Sequence, residues 1–185
     1  MKFKHLAILA LLAVVPALYS CGDDDDLTTD QYQEWNQTNI DWLTQLENKR
    51  NPDGSAYYTR RTAPWDSRSY VLMHYFERNE QALRPLYTST VDMRYKVHLC
   101  DGTGIDSTDF ITSPVPGALR TQLSSTGLIS GWPIAITDMH VGDSCEVIIP
   151  YGLAYGLSGY GNVPPYSNLR FNMRLVDIPF YEVKP

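Results

Sequence analysis

The residue types that most often carry catalysis do not fall at useful spacings in this chain. His74, His98 and His140 have no metal-ligand spacing, either among themselves or with Cys100 and Cys145. His98 and His140 are predicted to be surface residues. No metal site and no cofactor is therefore predicted.

Two glycine-containing stretches match known catalytic motifs only in part. The stretch Gly102-Thr-Gly104 begins like a dinucleotide fingerprint, but the third glycine is missing and the flanking pattern is that of antiparallel strands. It predicts a hairpin turn. The stretch from Gly156 to Tyr160 lacks the last glycine of a nucleophile elbow, and no lysine follows as in a phosphate loop. The sequence therefore does not predict a hydrolase, a kinase or an oxidoreductase.

A third stretch, Pro150 to Pro165, reads PYGLAYGLSGYGNVPP and interleaves four glycines with three tyrosines. Taken alone, it is compatible with a phosphate-cradling loop, a low-complexity linker or the rim of a pocket. The glycines permit tight turns and left-handed backbone angles, and the prolines fix the exit of the chain.

Composition and charge indicate one globular domain without a nucleic-acid partner. About 160 residues follow Cys21, which is enough for one domain of ordinary size. The formal net charge is −6, whereas phosphate binding requires a basic stripe. Cys100 and Cys145 could pair in an oxidising compartment, but one pair is not a disulfide scaffold.

The N-terminus predicts export and a lipid anchor. Lys2 and Lys4 precede an apolar run from Leu6 to Leu18, which is shorter than the roughly 20 residues of a membrane-spanning helix. The following Leu-Tyr-Ser-Cys21 is similar to the bacterial lipoprotein box, in which the cysteine is lipidated. The alternative is a plain secretory signal that is cleaved nearby.

Four aspartates, Asp23–Asp26, follow directly after Cys21 and must stay solvated because they repel one another. They are either a flexible tether or, by similarity to lipoproteins of Bacteroidota, a signal for export to the cell surface. The expected location is the cell envelope, in the outer membrane and with surface exposure as one possibility.

The segment from Thr28 to Lys49 carries apolar residues at helical intervals, and Asn51-Pro52-Asp53-Gly54 stops it. It predicts one amphipathic helix, which packs either on its own domain or on a partner. An irregular connector with a short strand at Ala56–Thr59 follows.

From Ser69 onward apolar and polar residues alternate with a period of two, which is typical of strands buried on one face. Strands are predicted at Tyr70–Glu77, Val91–Leu99, Cys145–Ile149 and Leu169–Leu175. In the second of these, Asp92, Arg94, Lys96 and His98 are predicted to face water. Cys145 lies on an inward face and is predicted to be a small buried hydrophobe.

One short helix is predicted between these strands, with Pro133 in its first turn, Ile134, Ile136 and Met139 toward the sheet, and Gly142 at its end. The predicted fold class is α+β: a curved antiparallel sheet wrapped around one short helix and preceded by the amphipathic helix. The chain then divides into a signal peptide (1–20), an acidic tether (21–27), a helix with its connector (28–68) and the main domain (69–185).

The order of short motifs resembles the FKBP-type peptidyl-prolyl cis-trans isomerases. The motifs are Asp106-Ser107, then Leu128-Ile129-x-Gly131-Trp132, then Leu153-Ala154-Tyr155-Gly156 and finally Pro164-Pro165. Together they cover roughly residues 69–178, and their combination is far more specific than any one of them.

The resemblance implies a proline pocket with assigned roles. Trp132 is implied as its floor, Asp106 and Tyr155 as its polar groups, and the backbone N–H of Ile129 as a donor to a substrate carbonyl. Tyr95 is implied as a further catalytic residue beside Trp132, Asp106 and Tyr155. The implied substrate-binding walls and rim are Ile105, Leu128, Ile129, Tyr160, Val163 and Phe171.

Three positions depart from the family pattern. Ile105 stands where phenylalanine is usual, Asn162 stands where an apolar residue or glycine is common, and Leu119 is the best match for a second usual phenylalanine. The implied function is isomerisation of X-Pro bonds in exported proteins, with macrolides as further ligands. The alternatives are a non-catalytic proline-peptide binder or chaperone with the same fold, and a structural lipoprotein whose helix recruits a partner.

Overall fold

The computed structural model describes residues 29–64 and 66–180. A helix, α1 (Thr29–Asn48), precedes a seven-stranded antiparallel sheet that packs around a short helix, α2 (Gly131–Ile136). The predicted α+β fold is confirmed. The predictions for the signal peptide, Cys21 and the acidic tether lie outside the described residues, and no helix within those ranges is long and apolar enough to span a bilayer.

The sheet has the strand order β1-β2-β6-β7-β3-β4, and β5 pairs with β3. All pairings are antiparallel. The short strand expected at Ala56–Thr59 lies instead at Thr59–Ala63, where it pairs with the next strand. The strands are β1 (Thr59–Ala63), β2 (Asp66–Glu77), β3 (Thr90–His98), β4 (Gly104–Ser107), β5 (Leu119–Gln122), β6 (Ser144–Ile149) and β7 (Leu169–Asp177).

Helix α2 fills the inner face of the sheet, and all six of its residues are buried. A Cβ atom on Gly131 would lie 2.4 Å from Ile149 Cγ2, so only glycine lets the helix begin against β6. The helix ends at Ile136, earlier than predicted. Beyond it the chain tightens into three-residue turns, because the N–H groups of Asp138 and Met139 bond the carbonyls three residues back.

Helix α1 covers the outer face of β2 and β6. Leu46 packs with Tyr58, Leu72 and Ile148 in a small cluster that is separate from the main core. These two strands are therefore buried on both faces, which explains why Leu72 and its neighbours in β2 do not alternate in burial. Of the two predicted arrangements for the helix, the structure has it packed on its own domain.

Three of the predicted surface positions are wrong: Asp92 is buried, and His98 and His140 are half-buried. Asp92 is only 1% exposed because β5 pairs with β3 and brings Arg120 opposite it, where two hydrogen bonds of 2.8 Å join the side chains. His140 is half-buried and lies in a tight turn, in which its backbone N–H donates to Asp143 Oδ2 at 2.8 Å. His98, at the end of β3, is also half-buried.

The two described cysteines are free thiols. Cys145 is fully buried beside Met139, as expected of a small hydrophobe, and burial raises the pKa of its thiol to about 12. Such a thiol carries no thiolate near neutral pH and is not a nucleophile.

Candidate functional site

Three aromatic rings meet at the concave side of the sheet. Tyr95 comes from β3, Trp132 from the first turn of α2, and Phe171 from β7. Their centroids lie 5.2 Å (Tyr95–Trp132) and 5.9 Å (each of these with Phe171) apart, all in edge-to-face geometry. Such pairs are stabilised by about 0.5–1.5 kcal/mol beyond their buried area. The rings therefore support one another and form the floor of this concave side.

A cavity of about 180 Å³ opens above this floor. Backbone geometry helps to shape it, because the Trp132 N–H donates to the Ile129 carbonyl at 3.1 Å and fixes the residues just before α2. The lining is mainly apolar, with polar groups at few points. It consists of Tyr95, Val97, Ile105, Asp106, Leu119, Gly127, Leu128, Ile129, Trp132, Tyr155, Leu169 and Phe171.

The polar side of the cavity is a hydrogen-bonded pair. Tyr95 Oη donates to Asp106 Oδ2 at 2.7 Å, and the backbone N–H of Ser107 donates to Asp106 Oδ1 at 2.8 Å. Burial, followed by this hydrogen bond and the Asp106 charge, raises the pKa of Tyr95 above its usual value. The phenol therefore remains a protonated donor at neutral pH, and both carboxylate oxygens of Asp106 are held in place.

Tyr155 closes the cavity from the loop that follows β6. Its ring stacks on Tyr160 with centroids 5.3 Å apart and planes inclined by 15°. Burial, then the neighbouring Tyr160 and Asp106, raises the pKa of Tyr155. Its hydroxyl is therefore also a neutral donor at the mouth of the cavity.

The loop depends on glycine at one point above all. Gly159 has φ +67°, and a Cβ atom there would lie 2.3 Å from the carbonyl oxygen of Val163. Tyr160 and Val163 exchange two backbone hydrogen bonds of 2.9 Å across the turn. The glycines of the stretch from Pro150 to Pro165 thus allow a compact turn that carries Tyr155 and Tyr160, and no phosphate cradle is needed to explain them.

The structure gathers most of the residues implied by the motifs around one cavity, and it places two elsewhere. Val163 is 4% exposed and belongs to the core, because its turn points it inward. Tyr160 is 72% exposed and lies behind Tyr155 without lining the cavity. The implied residues that do line it are Tyr95, Ile105, Asp106, Leu128, Ile129, Trp132, Tyr155 and Phe171, and the proposed phenylalanine substitute Leu119 joins them.

Sequence reasoning missed three lining residues, and two of them carried a readable signal. Val97 follows Tyr95 by two residues and Leu169 precedes Phe171 by two, so each shares a strand face with a ring of the floor. Gly127 had no such signal. Among residues 29–64 and 66–180 there is no group of three or more His, Cys, Asp or Glu side chains that could hold a metal ion.

The sheet wrapped on one helix, with an aromatic pocket between them, defines a class of small pocket-bearing α+β domains. Comparison with known proteins identifies the family. Residues 83–176, just over half of the chain, match the family model of the FKBP-type peptidyl-prolyl cis-trans isomerases. The chain belongs to this family, and the enzyme class predicted from the sequence is confirmed.

Individual relatives agree with this result. The chain is 30% identical over 137 residues to the macrophage infectivity potentiator of Trypanosoma cruzi, covering 72% of this chain and 67% of that protein. It is 38% identical over 95 residues to the FKBP-type 22 kDa peptidyl-prolyl cis-trans isomerase of Escherichia coli, covering 51% of this chain and 43% of that one.

A solved structure supports the fold. The crystal structure of a peptidyl-prolyl cis-trans isomerase from Pseudomonas syringae pv. tomato superposes with a TM-score of 0.61 at 23% identity, covering 78% of this chain and 93% of the other.

Proposed function

We propose that the protein accelerates cis–trans isomerisation of X-Pro bonds in exported polypeptides of the cell envelope. The observation that carries the proposal is the joining of the three-ring floor to the Tyr95–Asp106 pair in one apolar cavity. The family membership supplies the reaction type. The exported clients follow from the predicted signal peptide and lipid anchor.

The reaction needs little beyond such a cavity. Rotation about an X-Pro bond meets a barrier of about 18–20 kcal/mol and takes about 10–100 s unaided. No bond breaks, so neither a nucleophile nor a proton relay is required. An acceleration of about ten-thousand-fold corresponds to about 5.5 kcal/mol of selective transition-state stabilisation. An apolar pocket contributes by disfavouring the charge-separated resonance form of the planar amide, and complementarity to the twisted amide adds to this.

Each group has a proposed role in that stabilisation. The proline ring lies on Trp132. The Tyr155 hydroxyl and the Ile129 backbone N–H donate to substrate carbonyls on either side of the twisting bond. Asp106 faces the twisted amide, and the Tyr95 hydroxyl and the Ser107 N–H hold its two oxygens in place. Donors that the fold holds in position need little reorganisation during rotation.

The decisive experiment measures isomerisation of a Leu-Pro peptide by exchange NMR with the purified protein. We expect acceleration by the parent protein and a large loss in Trp132→Ala. Trp132→Phe, which keeps a ring in a buried position, serves as the folded control. A folded parent that gives no acceleration, with Trp132→Ala indistinguishable from it, would sink the enzymatic proposal.

The second candidate is a proline-peptide binder or chaperone that uses the same pocket without turnover. It is favoured by Ile105 and Leu119, which put aliphatic side chains on two walls of the cavity. Titration with a proline peptide and with a macrolide ligand separates the two candidates. Saturable binding to a protein that gives no isomerisation supports the binder.

Anchoring is tested separately, because it can fail while the pocket works. Cys21→Ser should move the protein from the membrane fraction to the soluble fraction. Replacement of Asp23–Asp26 by alanine should reduce protease access on whole cells. Unchanged fractionation or unchanged surface exposure would count against the lipid anchor or the export signal, respectively.

A further inference from the structure

Helix α1 is hydrogen-bonded to the exit end of the loop that carries Tyr155, although α1 lies outside the region that matches the family model. The loop runs from Tyr151, just after β6, to Asn168, just before β7. Two sets of hydrogen bonds tie the exit end to the helix, and Asn168 extends one of them to Tyr151 at the beginning of the loop. The helix therefore contacts the catalytic loop from behind and leaves the cavity itself open.

The first set centres on Asn39, which is fully buried in the middle of α1. Its Oδ1 accepts the backbone N–H of Asn168 at 2.8 Å, and its backbone carbonyl accepts Asn168 Nδ2 at 2.7 Å. Asn168 Oδ1 in turn accepts the N–H of Tyr151 at 2.9 Å. One chain of hydrogen bonds thus runs from the helix through the end of the loop to its beginning.

The second set starts one turn earlier in the helix. Trp35 Nε1 donates to Ser167 Oγ at 2.9 Å, and the Ser167 hydroxyl donates to the Pro164 carbonyl at 2.7 Å. Ser167 is almost fully buried, and Trp35 packs against the main core. This set fixes the exit of the loop beside the Gly159–Val163 turn.

Tyr151 transmits this restraint to Tyr155. The Tyr151 carbonyl accepts the N–H groups of Ala154 at 3.0 Å and of Gly156 at 2.9 Å, the two residues on either side of Tyr155. A shift of Tyr151 would therefore displace the Tyr155 hydroxyl. Removing one partner of such a buried hydrogen bond costs more free energy than the intact bond contributes. The remaining donor or acceptor is then buried without a hydrogen-bond partner.

We infer that Asn39 and Trp35 are positioning residues of the isomerase, which hold the loop so that the Tyr155 hydroxyl faces the substrate carbonyl. The inference rests on the proposed function. It assigns a catalytic purpose to the N-terminal helix: the helix acts through Tyr151 and Tyr155 and does not touch the substrate.

The test compares kcat and KM of the purified protein and its variants on a Leu-Pro peptide. Asn39→Ala removes the acceptor of the Asn168 N–H and should lower kcat/KM by about tenfold, mainly through kcat. Asn39→Asp keeps an acceptor oxygen and should retain most of kcat even if its thermal midpoint falls. Asn48→Ala is the matched control. The side chain of Asn48 donates to the carbonyl of Thr44, four residues back, just as the side chain of Asn39 donates to the carbonyl of Trp35. Asn48, however, is exposed.

A double-mutant cycle identifies the route of the effect. In a Tyr155→Phe background the hydroxyl is already absent, so Asn39→Ala should change kcat/KM by less than about twofold. An equal loss in both backgrounds, or an Asn39→Asp variant as impaired as Asn39→Ala, overturns the inference. Trp35→Phe, which keeps the packing but removes the donor, should behave like Asn39→Ala with a smaller loss.

A parent without isomerase activity would refute the proposed function, and the loop restraint would then be measured directly. Hydrogen exchange of the Gly156 and Tyr151 amides by NMR should be faster in Asn39→Ala than in the parent and unchanged in Asn48→Ala. Unchanged exchange in Asn39→Ala overturns the inference whatever the activity.

Discussion

Tyr95 Oη and Asp106 Oδ2 lie 2.7 Å apart across two neighbouring strands, β3 and β4. The aromatic residue contributes both a ring to the floor of the cavity and a hydroxyl that orients the carboxylate. Asp106 is exposed, so its position depends on this bond and on the Ser107 N–H more than on packing.

The pair should be coupled in catalysis. We expect Asp106→Ala to lower kcat/KM by about tenfold and Tyr95→Phe by a few-fold, because the second variant leaves the carboxylate present but less well held. The double variant should be little worse than Asp106→Ala alone. The measurement is a double-mutant cycle on a Leu-Pro peptide.

Asp109→Ala is the matched control for that cycle, since Asp109 is an exposed carboxylate in the same segment that pairs with Lys96 at 2.8 Å. Its activity should equal that of the parent. Strictly additive losses from Tyr95→Phe and Asp106→Ala would contradict the coupling.

Gly159→Ala should disturb the loop that carries Tyr155. The new Cβ atom would meet the Val163 carbonyl at 2.3 Å at a φ of +67°, so the turn must rearrange. Conformations of this kind cost non-glycine residues about 1–3 kcal/mol. We expect a lower thermal midpoint and a lower kcat/KM. Gly152→Ala, whose Cβ atom would meet nothing within 4 Å, is the control. Equal behaviour of the two variants would show that the turn is not needed.

The period-two pattern was enough to predict β3 and β7 and the inward position of Tyr95 and Phe171, because alternation depends only on neighbours along one strand. The motif order was enough for Trp132 and Tyr155. The motif order predicted that both residues lie at one cavity, because the family resemblance implies contacts between distant parts of the chain. Local periodicity cannot predict such contacts.

The missed features depend on contacts between distant residues. The burial of Asp92 follows from β5 pairing with β3, which no local pattern of β3 reveals. The hydrogen bonds between Asn39 and Asn168 join positions 129 residues apart, and a polar residue on an amphipathic helix ordinarily predicts a solvated face. Val163 turns inward because of the hydrogen-bonded turn that it shares with Tyr160.

Restoring an aromatic wall should tighten the pocket. Ile105 is half-buried in β4 and lines the cavity. Ile105→Phe adds apolar area beside the three-ring floor, and a new aromatic contact is worth about 0.5–1.5 kcal/mol. We expect severalfold tighter binding of a proline peptide and of a macrolide, measured by calorimetry. Ile40→Phe, at an exposed site on α1, should leave both affinities unchanged. Weaker binding by Ile105→Phe would mean that the cavity has no room for a larger side chain at position 105 together with the ligand.

Alkaline pH should destabilise the fold, beginning with Cys145. Burial raises the pKa of this thiol from 9.0 to about 12 in the folded protein. Above pH 9 the unfolded chain releases this proton and the folded chain keeps it, so the free energy of unfolding falls as pH rises from 9 toward 12. Between pH 8 and pH 10 the loss from this group should be about 1.4 kcal/mol. Half-buried Tyr75, whose pKa is also raised by burial and by the Asp138 charge, adds its loss above pH 10.

Urea denaturation of the parent and of Cys145→Ala at pH 8, 9 and 10 measures this loss. The variant should be less stable at pH 8 because it leaves a cavity beside Met139, but its profile should be flatter by about 1.4 kcal/mol between pH 8 and pH 10. The difference between the two proteins should therefore narrow as pH rises. Parallel profiles would show that the thiol ionises equally readily in the folded and unfolded chains.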